Sequence, residues 1–176
     1  MALPAALRRL KSGLIACLLA TTAWTPAVAA DGPARAIEQQ FKRGETTLAQ
    51  QNLTQALARQ PEDVALRFLQ AVMLSAGGST AEAIALFERL TQEFPDLPEP
   101  YNNLAVLQAA AGKIDAAREL LETALRLDPG YRTAHENLGD VFARLAQRAY
   151  EAAAGPHSEA SLQGKLRMAR ELAQLR

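Results

Sequence analysis

Apolar residues in this chain recur at steps of three and four over most of its length, the spacing that lines one face of an α-helix. Between the periodic stretches stand glycine or proline, which end helices. The pattern predicts helices at about 33–43, 46–59, 64–76, 80–92, 99–110, 115–127, 134–153 and 158–174, with no strand candidate. Three helix starts carry capping signals: Ser79 with Glu82, Asp115, and Thr133 with Glu136.

The first thirty residues follow another pattern. A basic start, "LRRLK", leads into an apolar run over 13–23, and Ala27-Val28-Ala29 has the small-x-small form that signal peptidase accepts. This predicts a signal peptide over 1–30 for the general secretory route, cleaved after Ala29 or Ala30, and so an exported, periplasmic protein. The run falls short of the roughly twenty residues that span a bilayer. A lipoprotein reading through Cys17, in "LIAC", is disfavoured because little apolar sequence precedes it. Cys17 is the only cysteine and leaves with the signal, so the mature chain has no disulfide and no thiolate metal site.

Beyond the signal the chain repeats. Pro61, Pro95 and Pro129 are each 34 residues apart, and so are Gly44, Gly78 and Gly112. Ala49, Ala83 and Ala117 keep the same period, as do Leu53, Phe87 and Leu121, and Ala56, Leu90 and Ala124. Each series has a physical role if the unit is two antiparallel helices. Glycine makes the sharp turn between them. The small residue lets the backbones approach, the large one four positions later fills the gap, and proline ends the second helix.

A 34-residue helix-turn-helix of this form resembles the tetratricopeptide repeat. The unit at 98–131 carries the resemblance best, through Tyr101, Leu104, Gly112, Ala117, Leu121, Ala124 and Pro129, with Ala105 in place of the usual glycine. The unit at 64–97 keeps Gly78, Ala83, Phe87 and Pro95 but has Arg67 where the aromatic belongs. The first unit, about 30–63, has a poor first helix. The fourth, 132–155, has Leu138, Gly139 and Phe142, then departs: Ala146 stands where the turn glycine belongs, and no breaker follows until Gly155-Pro156. Its helix should therefore run on, leaving half a repeat. Leu162, Leu166, Ala169 and Ala173 recur at helical spacing in the last segment, 156–176, which is predicted to be a helix capping the open end of the stack.

The resemblance implies an all-α, right-handed helical-repeat solenoid of antiparallel helix pairs over 31–155 with a C-terminal capping helix, similar to small exported tetratricopeptide proteins of Gram-negative bacteria. It implies a periplasmic scaffold, or an assembly or chaperone-like module, that binds a partner protein or peptide. Self-association through a solenoid end and service as an accessory subunit of an envelope enzyme complex are its alternatives. In this family the first helix of each unit lines a concave groove, and positions 2, 5, 9 and 12 of the unit fall within about 80° of one another on that helix. Carried over, they are Ala65, Phe68, Val72 and Ser75; Glu99, Asn102, Val106 and Ala109; and Thr133, Glu136, Asp140 and Ala143. Phe68, Val72, Glu99, Asn102, Val106, Glu136 and Asp140 are the candidate contacts. The lining is apolar at one end and acidic at the other, which suits a peptide with apolar anchors and a basic or hydrogen-bonding part. It lacks the lysines and arginines with which some family members clamp a C-terminal carboxylate. Of the adjacent pair Asn102 and Asn103, the second matches Asn137 and is assigned to architecture, the first to the partner.

Composition narrows the remaining chemistry. The chain is 49% apolar and 22% charged, a globular balance. Its formal charge is +0, but Arg8, Arg9 and Lys11 lie in the signal, which holds no acid, so the mature chain is mildly acidic. Such a chain offers no electrostatic footprint for nucleic acid. His135 sits at the aromatic position and is expected to pack, while His157 lies in a connection; neither has a partner spaced for a metal. No phosphate loop, nucleophile elbow or spaced ligand set is present, so no catalytic residue, metal, cofactor or small-molecule substrate is assigned.

Overall fold

The computed structural model describes residues 32–155 and 159–174. The predicted signal segment, its cleavage site, Cys17 and His157 lie outside these residues. The described chain forms eight α-helices in the order α1 (Pro33–Lys42), α2 (Thr46–Arg59), α3 (Val64–Ala76), α4 (Thr80–Glu93), α5 (Pro98–Ala110), α6 (Ile114–Leu127), α7 (Arg132–Ala153) and α8 (Ala160–Gln174). No strand occurs among the described residues. Every predicted helix is present; α2 and α3 have the predicted ends, and the others differ by one or two residues.

The turns repeat as the sequence does. Gly44, Gly78 and Gly112 have φ of 81°, 84° and 78°, a backbone that side chains with a Cβ rarely adopt. Around each, the residue after glycine bonds back across six residues: Glu45 to Gln40, Ser79 to Leu74 and Lys113 to Gln108. That is the Schellman closure, which satisfies carbonyls the helix end would otherwise leave bare. The proline turns recur too, with Asp63, Leu97 and Tyr131 donating to Gln60, Phe94 and Asp128.

Packing follows the five series. Ala49, Ala83 and Ala117 are fully buried, as are Leu53, Phe87 and Leu121. They form three successive apolar clusters, one per layer: Ile37 to Met73 around Leu53, Ala71 to Leu107 around Phe87, and Ala105 to Val141 around Leu121. Each layer needs the next to close it, because a lone helix pair leaves one face of its apolar surface in water.

Capping departs from expectation. Ser79 makes no side-chain cap, α6 begins at Ile114 so that Asp115 is already inside it, and α7 begins at Arg132 with Tyr131 before it. At Ser79 and Asp115 the glycine turn already holds the incoming backbone, which leaves a side-chain cap little to add. Asp115 is drawn instead to Arg148 of α7, which donates to both carboxylate oxygens at 2.8 and 3.0 Å. A side-chain cap does form at Asp63, whose carboxylate accepts from the Leu66 N–H at 3.0 Å.

The fourth unit runs on as anticipated: α7 passes through Ala146 without a break and spans 22 residues. Helix α8 then packs on α7 through Leu166 and Ala169, and Arg170 donates to Glu151 at 3.0 Å. Its Ala173 lies with Val106 and Ala109 of α5 and Asp140 and Arg144 of α7. These are groove positions and their neighbours, so α8 covers the groove-side flank of α7. The opposite flank, where a second helix would pair, carries exposed His135, Gly139 and Phe142.

Candidate functional site

The fourth position of each unit shows how one slot is filled by three chemistries. Arg67 is 9% exposed; its guanidinium donates to Glu93 at the end of α4, and it stands over the Phe94 ring at 5.8 Å. That hydrogen bond holds the Glu93 carboxyl below its usual range. Tyr101 reaches the carbonyls of Thr91 and Pro95 at 3.2 and 3.3 Å. His135 has Nε2 at 3.0 Å from the Pro129 carbonyl. Tyr101 and His135 thus each tie a first helix to the proline turn six residues before it, and Arg67 ties its helix to the far end of its own unit. The expectation that His135 packs is corrected: it is exposed, because no second helix follows to cover it.

The groove face joins α5 and α7 by two polar links. Asn137 Nδ2 donates to Asn102 Oδ1 at 2.7 Å, and Arg144 Nη1 donates to the Ala109 carbonyl at 3.1 Å. Each link spans 35 residues, and the two stand two helical turns apart. The structure here corrects the division of the asparagine pair. Asn102, expected to face a partner, is 4% exposed and holds α7 to α5. Asn103, assigned to architecture, is half-buried and bonds only to the Glu99 carbonyl one turn back. The physical reason is the closeness of the two helices: an amide enclosed between them costs about 1–3 kcal/mol if left unpaired, so it takes the amide opposite.

The other candidate contacts fall into two groups. Phe68 and Val72 are half-buried against the Phe87 cluster, with the Phe68 ring edge-on to Phe87 at 5.7 Å and 64°. They belong largely to packing. Glu99, Val106, Glu136 and Asp140 are exposed, Val106 at 44%. Val106 and Asp140 line a cavity of about 400 Å³ between α5 and α7, with Ala105, Ala109, Ala110, Leu121, Asn137, Val141, Arg144 and Ala173 as its other walls. The sequence reading missed Arg144 and Ala173. Arg144 is signalled by its place seven residues after Asn137, whereas Ala173 depends on how α8 docks, which local pattern does not encode.

Comparison with known proteins accords with this architecture. Two sequence profiles, each of the tetratricopeptide repeat, match residues 34–98 and 74–139, together more than half of the chain. A TPR repeat-containing thioredoxin, TTL4, of Arabidopsis thaliana is 39% identical over 71 residues, which are 40% of this chain and 10% of that relative. This chain therefore matches only a small part of that relative's length. Among solved structures, the Sgt2 TPR domain of Aspergillus fumigatus superposes with a TM-score of 0.61 at 18% identity, covering 73% of this chain and 85% of the domain. The first TPR of Spaghetti (RPAP3), bound to the HSP90 peptide SRMEEVD, gives 0.57 at 19% identity over 65% of this chain and 90% of that one. At such identities the likeness is one of fold. The repeat period, the three glycine turns, the stacked apolar layers and these matches agree: over residues 34–139 the chain belongs to the tetratricopeptide-repeat family.

Proposed function

We propose that this protein is an exported, periplasmic scaffold that binds a partner protein or peptide across the groove face of α5 and α7. The observation that carries the reading is Val106, an apolar side chain 44% exposed in the middle of that face, beside a cavity and a row of carboxylates. A single exposed apolar side chain is common on protein surfaces, but one that lines a cavity beside polar side chains gives a partner a point to anchor on. The neighbour bound to an HSP90 peptide supports peptide binding as a use of this fold. Its ligand ends in acidic residues, which the exposed Glu99, Glu136 and Asp140 would repel, so a different peptide chemistry is in play here.

The test is an affinity pull-down from periplasmic extract, comparing wild type with Val106→Glu. Loss of one or more specific proteins with the variant supports the groove; an unchanged set of recovered proteins contradicts it. Cell fractionation with N-terminal sequencing checks the export part, with a mature start at Ala30 or Asp31 expected and an intact Met1 in the cytosol contradicting it. A second reading, self-association, is favoured by Phe142, 49% exposed on the uncovered flank of α7. Light scattering after size exclusion checks it: a dimer lost in Phe142→Lys is the expected sign, and a monomer at all concentrations excludes it.

A further inference from the structure

The cavity between α5 and α7 has a composition specific enough to name the group it takes. Its walls are mostly methyl and methylene surface from Ala105, Val106, Ala109, Ala110 and Ala173. Three polar side chains reach it. Asn137 is bonded to Asn102 and Arg144 to the Ala109 carbonyl, whereas the Asp140 carboxylate has no hydrogen bond or ion pair among the described residues. Glu99 and Glu136 stand exposed on the same face at groove positions of α5 and α7. Within the lining itself Asp140 is the one carboxylate and Arg144 the one base, and the Arg144 guanidinium is directed to a backbone carbonyl.

We infer that this cavity receives a lysine or arginine side chain of the partner. Its aliphatic stem lies along Val106, Ala109 and Ala173, and its cationic head meets Asp140. Long basic side chains are amphipathic in this sense, covering apolar surface with the stem while the head keeps a polar partner. The match is of both shape and sign. An acidic side chain would meet Asp140 while Arg144 is already bonded to the Ala109 carbonyl, and a purely apolar one would leave Asp140 to water alone. Helix α8 takes part by contributing Ala173, so the terminal helix completes the pocket as well as covering α7. This inference rests on the groove reading above and specifies the residue that the groove selects.

The probe is a blocked pentapeptide with arginine between two leucines, compared with counterparts bearing glutamate or norleucine at the centre. Binding to the purified protein is followed by the methyl resonances of Val106, Ala109 and Ala173. The arginine peptide is expected to shift these methyls and the other two to do so about threefold more weakly or less, the worth of one exposed ion pair. Asp140→Asn should bring the arginine peptide down to the norleucine level. Ala173→Leu, which fills the cavity from a helix outside the repeats, should abolish the shifts of Val106 and Ala109. Equal binding of the norleucine peptide, or an affinity unchanged in Asp140→Asn, overturns the inference. The two readings fail separately: partner proteins lost with Val106→Glu but retained with Asp140→Asn would sustain the groove and reject the basic side chain, whereas partners retained with Val106→Glu would reject the groove.

Discussion

Helices α5 and α7 hold equivalent places in successive repeats. On α5, Leu104, Ala105 and Gln108 are all buried, Leu104 in the Phe87 layer and Ala105 in the Leu121 layer. On α7 the same three places are Leu138, half-buried, and Gly139 and Phe142, both exposed. A phenylalanine is more open here than a glutamine one repeat earlier, the reverse of what residue type predicts. Burial in a repeat is thus decided by whether the partnering helix follows, and the missing glycine at Ala146 decides that. Because α7 runs on, its pairing flank stays bare, and α8 is free to dock on the groove side.

The largest expected contrast is between cores. Leu121→Ala should lower stability by about 2–5 kcal/mol, since it opens a cavity between three helices, while Phe142→Ala should change it by less than about 0.5 kcal/mol. Urea denaturation measures both, and a large loss in Phe142→Ala would mean that the flank of α7 is covered in solution. Next come the glycines. Gly112→Ala forces a Cβ into a left-handed backbone and should cost about 1–2 kcal/mol. Gly139→Ala adds a Cβ that meets nothing within 4 Å inside an exposed helix and should add up to about 1 kcal/mol. A paired thermal denaturation in which both variants lose stability would break the comparison.

The smallest effect concerns the attachment of α8. Hydrogen bonds from Gln147 and then Arg170 hold the Glu151 carboxyl below its usual range. A lowered folded value means that the link contributes fully above the unfolded value and is lost as pH falls through the folded one. Amide exchange in α8 should therefore quicken as pH drops below about 4, after correction for intrinsic rates, and Glu151→Gln should remove that dependence. A wild-type profile identical to the variant would show that Leu166 and Ala169 alone hold the helix.

Much of the fold was legible because its determinants are local and repeated. Gly78 and Gly112 announce turns, Phe87 and Leu121 announce layers, and Ala146 announces the long helix. The site was less legible for two physical reasons. Asn102 and Asn137 lie 35 residues apart and meet only because α5 and α7 stack, so neither position alone reveals that the amide is spent on the fold. Arg67 looked like a failed aromatic; its ion pair with Glu93 and its place over Phe94 require knowing where the end of α4 falls. The capping signal at Ser79 marks the start of α4 without supplying the hydrogen bond, and Thr133 falls inside α7, since local sequence fixes a helix end only to within a residue or two.

A photo-crosslinking amino acid placed at Val106 in one variant and at Phe142 in another, each expressed in cells as the full-length chain, tests the central claim most directly. The groove account predicts a discrete crosslinked partner from position 106 and none from position 142. A partner captured from position 142 and none from 106 would contradict it and move the binding surface to the uncovered flank of α7.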